Sequence, residues 1–312
     1  MRPLHLLPLF LPALAMAEPV HIPGPQGPLG AEMIAVKGAP HAVIIIPGSG
    51  PTDRDGNAPP MGLSTDAYRL LAEGLAEQGI ASLRIDKRGF YSSAGAIADP
   101  NDVTIEAYAQ DARNWVNYAS GLAPCVWLAG HSEGGLVALV AGRDAPENLC
   151  GLILLATSGR PTGQLMIEQF EANPANGPLM PELRAIVADL EAGQSRDPTA
   201  VTPMLQPLFS AGLQRYMIDL FSHDPAEIAK EWKGPVLIVQ GNEDIQVRPY
   251  DANLLEGALP QAHRVNLVGG THMLKAAVAG NPFATYADPA LPLHEALIPG
   301  IASFIEETSK TD

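Results

Sequence analysis

From about residue 31 onward the chain alternates short apolar runs with longer stretches whose apolar positions recur at helical spacing. Runs at 33–35, 42–46, 81–85, 126–129, 152–156, 236–239 and 264–268 are short, and several are unbroken Val, Ile and Leu. That is the pattern of central parallel strands covered on both faces. Between them, 65–78, 105–120, 136–143 and 250–259 read as amphipathic helices; in the first, Leu70, Leu71 and Leu75 oppose Asp66, Glu73 and Glu77. Strands separated by helix-length patterns predict βαβ units and a mostly parallel sheet flanked by helices. One section breaks the alternation. Residues 161–232 carry no strand pattern, only helical pieces such as 181–192 and 204–221, with many Leu, Met and Phe. They read as a helical cap over an apolar pocket, or as extra helices packed on the core.

The N-terminal segment stands outside this pattern. Arg2 precedes an apolar run to Met16, and Ala15-Met16-Ala17 offers small residues where a signal peptidase reads them. Three prolines (Pro3, Pro8, Pro12) argue against a buried helix there, and the run is too short to span a membrane. The expected organisation is therefore a signal peptide over 1–17, cleaved after Ala17, and one domain over 18–312. Its core covers about 31–160 and 233–312, its cap about 161–232. The expected location is the periplasm or the medium, with no membrane anchor. Charge adds one exclusion. With 34 acidic against 19 basic residues the chain carries −15, which disfavours nucleic acid and anionic lipid as partners. Export also changes how Cys125 and Cys150 read. If their runs are adjacent parallel strands, the two lie at similar heights and admit a disulfide; two buried thiols are the alternative.

The candidate chemistry lies at the ends of the apolar runs. Gly130-His131-Ser132-Glu133-Gly134 follows one run and opens a helix. Glycines two residues either side of a serine suit a tight strand-to-helix turn that lifts a nucleophilic hydroxyl above the sheet. A hydroxyl needs a base, and the base an orienting acid. Of eight histidines, His272, in Gly269-Gly270-Thr271-His272-Met273, follows the last run and hangs at the edge from which it can reach Ser132. For the acid, Glu243 and Asp244 both sit just past the 236–239 run. An oxyanion needs two backbone donors: the amide of Glu133, and that of Ser49 or Gly50 in Pro47-Gly48-Ser49-Gly50-Pro51. Asp53, Asp55 and Asn57 mimic the start of a calcium loop, but Ala58 and Ser64 break the match. The cluster Asp53-Arg54-Asp55 is expected to pair internally, with Lys87 or Arg88. No metal or cofactor site is expected.

Together Pro47-Gly48-Ser49-Gly50-Pro51-Thr52-Asp53, Asp86-Lys87-Arg88-Gly89, Gly130-His131-Ser132-Glu133-Gly134, Asp244-x-x-Val247 and His272-Met273-Leu274-Lys275 resemble the α/β-hydrolase superfamily. Within it, the chain is similar to bacterial exported esterases and serine aminopeptidase-like (S33-type) hydrolases. The resemblance implies an α/β-hydrolase fold with a helical cap inserted before the acid-bearing strand. It also implies a triad of Ser132, His272 and Asp244 rather than Glu243, with oxyanion amides at Ser49 and Glu133. One departure is Pro47, where the family usually carries a histidine. The expected reaction is hydrolysis of a small-molecule carboxylic ester, with an apolar acyl group, through an acyl-enzyme. An aminopeptidase or amidase is the first rival; it would need an acidic pocket, for which Glu168, Glu171 and Glu182 are available. A non-catalytic binding protein on the same fold is the second.

Overall fold

The computed structural model describes residues 17–310. The expected signal peptide lies, apart from Ala17, outside the described residues. In chain order the elements are β1 (Ala17–Ile22), β2 (Leu29–Ile34), β3 (His41–Ile46), α1 (Ala67–Glu77), β4 (Ala81–Ile85), α2 (Ile105–Ala119), β5 (Cys125–His131), α3 (Glu133–Ala141) and β6 (Leu149–Leu155). There follow α4 (Thr162–Glu171), α5 (Met180–Glu191), α6 (Ala211–Phe221), α7 (Pro225–Ala229), β7 (Val236–Gly241), α8 (Pro249–Ala258), β8 (His263–Leu267), α9 (Ala284–Ala287) and α10 (Leu297–Thr308).

The eight strands form one sheet in the order β1-β2-β4-β3-β5-β6-β7-β8. The β1–β2 and β2–β4 pairings are antiparallel; from β4 to β8 every pairing is parallel. Alternation along the central strands feeds two apolar layers. On β5, Val126 and Leu128 join a cluster with α2 and α3, while Trp127 and Ala129 face α1 and α10. Each apolar run of the sequence from 33 onward therefore overlaps a strand, although 33–35 meets only the end of β2, and the central strands β3 to β7 are buried on both faces, as unbroken β-branched runs require.

Two elements had no clear sequence signal. Strand β1 is mostly exposed and carries Pro19, which an edge strand tolerates because one side needs no ladder donor. Helix α10 is obscured by Pro299-Gly300, yet Pro299 sits in its first turn, where the missing N–H costs no bond. The stretch between β6 and β7 is helical. Much of its apolar content (Leu183, Ile186, Val187, Leu190, Phe209, Leu220) packs into the α2/α3 cluster.

The ion pairs differ from the sequence-based expectation at one place. Arg54 pairs with Asp86 at 2.5 Å and Asp55 with Arg84, whereas Arg88 pairs with Asp111 and Lys87 with Glu133. The reason is sheet geometry: Arg84 and Asp86, two residues apart at the end of β4, project to the side reached by the 53–55 turn. At the opposite end of the sheet Cys125 and Cys150 are joined in a disulfide, with Cα atoms 5.6 Å apart. The β5–β6 register shifts between Val126 and Trp127, and Cys150 falls at that irregularity.

Candidate active site

The site lies beyond the carboxyl ends of β3, β5, β7 and β8, where an open parallel sheet presents its loops. Its centre is the turn from β5 into α3. Ser132 holds φ 54° and ψ −119°, a strained conformation for a residue with a Cβ. The flanking glycines have a steric cause. A Cβ on Gly130 would lie 2.1 Å from the Gly134 carbonyl oxygen, and one on Gly134 would lie 2.4 Å from that of Ile46. The Ser132 amide donates to Leu155 O at 2.8 Å, which ties the turn to β6.

Past β7, Asp244 is buried and accepts from the amides of Gln246 and Val247 through Oδ1, at 2.8 and 2.9 Å. Its Oδ2 lies 2.8 Å from Nδ1 of the buried His272, on the loop after β8. Burial alone would raise the Asp244 carboxyl, but the His272 ring and the two amides hold it below its ordinary value. An ionised carboxylate only accepts, so Nδ1 of His272 bears a proton and donates it to Asp244. Glu243, one residue back, is exposed and points elsewhere. The structure thus brings Asp244 to His272 and leaves Glu243 out. Ser132 and His272 line the same cavity.

Beneath these residues runs a polar network. His131 Nε2 lies 2.8 Å from the carbonyl oxygen of His272, which can only accept, so this nitrogen bears the proton. Burial and the neighbouring His272 push the His131 ring down to about 3, so it is neutral and its Nδ1 accepts. The donor is the Tyr68 hydroxyl at 2.8 Å, whose oxygen in turn accepts the Gly48 amide at 3.1 Å. One chain of hydrogen bonds therefore joins the loop after β3 to the backbone of His272. Lys87 completes it: its Nζ lies 2.6 Å from Gly48 O and 3.2 Å from Glu133 Oε1, with all three groups buried. Ser49 and Glu133 line one small pocket with Ser132, and Glu133 is the first residue of α3.

Sequence reasoning singled out neither Tyr68 nor the side chains of His131 and Glu133, and it gave Lys87 a different partner, the 53–55 cluster. Tyr68 sat among the apolar positions of α1, and the others were spacer positions within motifs. A buried Lys-Glu pair joining two motifs leaves no periodic trace.

Two cavities meet Ser132. The larger, about 250 Å³, is walled by the 48–68 loop, Gln246, His272, Met273 and Tyr286. No residue of 161–232 lines it; that stretch contributes Thr162, Leu165 and Pro225 to a second pocket of about 30 Å³ on the other side. Lys275, fully buried, ties the walls together by donating to Thr65 O at 2.6 Å and Asp288 O at 3.1 Å. Glu168 pairs with Arg160 and Arg248, Glu171 with Arg184, and Glu182 accepts the Thr202 amide; none lines either cavity. Among the described residues no cluster of three His, Cys, Asp or Glu could hold a metal ion, and no helix is long and apolar enough to cross a membrane.

Comparison with known proteins gives one family and three similar proteins. Residues 61–274 match the family described as serine aminopeptidase, S33. Esterase EstD from Thermotoga maritima is 28% identical over 217 residues, 68% of this chain and 48% of EstD, so the match spans about half of that relative. Among solved structures, Est1E from Butyrivibrio proteoclasticus superposes with a TM-score of 0.59 at 18% identity, covering 94% of this chain and 99% of Est1E. The Pyrococcus furiosus esterase Pf2001 gives 0.59 at 14% identity over 98% and 97%.

Proposed function

Because the chain belongs to the serine aminopeptidase S33 family of α/β-hydrolases, we propose that it is a carboxylic ester hydrolase with Ser132 as nucleophile, His272 as base and Asp244 as orienting acid. In this reading His272 Nε2 takes the Ser132 proton as Oγ attacks the ester carbonyl. The tetrahedral oxyanion is held by the amides of Ser49 and Glu133. Collapse breaks the bond to the alcohol oxygen, which receives the proton from His272. Water, deprotonated by the same ring, then releases the acid and restores Ser132. The observation that carries the reading is the buried Asp244–His272 pair sharing a cavity with a serine held at φ 54°.

The cavity walls favour an ester over a peptide with a free N-terminus. An ammonium group needs a carboxylate beside it, and the larger cavity has none among its lining residues. The carboxylates of the inserted helices that could have served are paired with arginines or turned to backbone. Est1E has been solved with ferulic acid bound, and for this chain we propose a small-molecule carboxylic ester as substrate. Export through the 1–17 segment is proposed with it.

Ser132→Ala tests the assignment. Turnover of p-nitrophenyl acetate should fall by about 10⁴-fold or more, since triad members act as a unit, while the thermal melt stays in place. A fluorophosphonate should label Ser132 in the parent and nothing in the variant. Activity within about tenfold of the parent would remove Ser132 from the mechanism.

A further inference from the structure

We infer that the substrate is a short-chain acyl ester, acetyl or little larger, of a bulky and largely apolar alcohol. The inference rests on the ester-hydrolase reading and adds the assignment of the two cavities at Ser132 to the two halves of the ester.

The chemistry fixes which half goes where. When the tetrahedral adduct collapses, the C–O bond to the alcohol breaks and that oxygen must take the proton held on His272 Nε2. The alcohol must therefore lie on the His272 side of Ser132. His272 lines the larger cavity and does not line the smaller one. The acyl group has no such need. It must instead leave its carbonyl oxygen between the amides of Ser49 and Glu133; Ser49 lines both cavities, whereas Glu133 lines the smaller pocket and not the larger. The acyl group thus occupies the pocket closed by Leu136, Thr157, Thr162, Leu165 and Pro225.

Size then sets the substrate. The acyl pocket measures about 30 Å³, against the roughly 10–15 Å³ that one water needs. A methyl or ethyl group fits; an octanoyl chain does not. Leu165 is buried on α4, and its helix is clamped to α8 by Arg160, which pairs with Glu168 and Asp251. The alcohol cavity, about 250 Å³, opens past Met61, Leu63, Gln246 and Tyr286 into a further groove of about 410 Å³ carrying Ile245 and Phe283. Met61, Ile245 and Phe283 are exposed there (67%, 43% and 64%), an apolar rim suited to an aryl or terpenoid-sized alcohol. This puts the apolar bulk on the alcohol, where the sequence alone had suggested the acyl group.

The test is a two-way ester series on the full-length protein. With p-nitrophenol held constant, kcat/KM for the acetate should exceed that for the octanoate by about a hundredfold or more. With acetate held constant, 2-(2-naphthyl)ethyl should exceed ethyl by at least about tenfold, the two alcohols being of similar acidity, and equal rates overturn the assignment of the larger cavity. Leu165→Ala should raise the octanoate-to-acetate ratio by about tenfold or more; Thr162→Ala, at a half-buried position, gives the same readout with less strain on the fold. An octanoate turned over as well as the acetate, or a ratio unmoved in both folded variants, overturns the assignment of the cavities. Failure of every ester together with failure of fluorophosphonate labelling overturns the hydrolase reading itself, and this inference falls with it.

Discussion

Lys87 shows how much of the site rests on a side chain that touches no substrate. The Gly48 carbonyl and the Ser49 N–H belong to one planar peptide and point to opposite sides of it. An ammonium 2.6 Å from Gly48 O therefore sets the rotation of that plane, and so the aim of the Ser49 amide. The same Nζ reaches Glu133, whose own amide is the second proposed donor. In the proposed mechanism Lys87 is thus a positioning residue that clips the two donors together. Lys87→Met should lower kcat about tenfold to a hundredfold while KM moves little, because an oxyanion hole acts in the transition state. It should also destabilise, by about 3–5 kcal/mol, since the Glu133 carboxylate is left buried and unpaired. The double variant Lys87→Met/Glu133→Gln separates the two effects. It should recover most of the stability in a denaturant melt but not the rate; recovery of both would reduce Lys87 to a structural role. At this scale the sequence was legible where chemistry imposes residue types at fixed places. Ser132, His272 and an acid at Glu243 or Asp244 could be named as candidates from strand ends, and only the family resemblance preferred Asp244. The roles of Lys87, Tyr68 and His131 could not be read, because their partners (the backbone of Gly48 and His272, the Glu133 carboxylate, and each other in the Tyr68–His131 pair) are brought close only by the fold.

Among elements, the turn between β5 and α3 has the least freedom. Every Å of space around Gly134 is taken by the backbone leaving β3: an added Cβ would lie 2.4 Å from Ile46 O and 2.7 Å from Pro47 O. Gly134→Ala must push β3 and the Gly48–Ser49 loop away from α3. It should cost about 1–3 kcal/mol in a denaturant melt and lower kcat with it. Gly257→Ala is the control. Its Cβ meets nothing within 4 Å on exposed α8, and there the same substitution should stabilise by about 0.5–1 kcal/mol. If both variants moved stability in the same direction, close packing would not be the reason for Gly134. The apolar periodicity was sufficient for β3 to β8 because each is covered on at least one face, and it met only the last two residues of β2. It gave little for β1, which is an exposed edge, and for α10, where Pro299-Gly300 interrupts the pattern. The walls of the larger cavity were also silent. They come from non-repetitive chain at 48–66 and 273–290, stapled by the buried Lys275 through carbonyls of both segments, and no periodic signal marks such loops.

At the scale of the whole molecule, the chemistry and the covalent cross-link sit at opposite ends of one sheet. Ser132, Asp244 and His272 lie past the carboxyl ends of the strands, whereas Cys125 opens β5 and Cys150 is the second residue of β6. The disulfide closes a separation of 25 residues, for which loop-closure entropy gives about 3 kcal/mol. In a domain of this size that corresponds to roughly 5–10 °C in Tm. It restrains α3 as well, because the closed segment contains the elbow and the whole of that helix. Reduction, or Cys125→Ser/Cys150→Ser, should therefore lower Tm by about that amount. The rate on p-nitrophenyl acetate at 25 °C should stay within about twofold, since the folded site is unchanged. The same comparison bears on export. Protein recovered from an oxidising compartment should carry no free thiol and begin at Glu18, while protein held in a reducing cytosol should show two thiols and the lower Tm. Equal melts from the two sources would mean that the cross-link contributes nothing to stability, and the exported setting would then have to be argued from the leader segment alone.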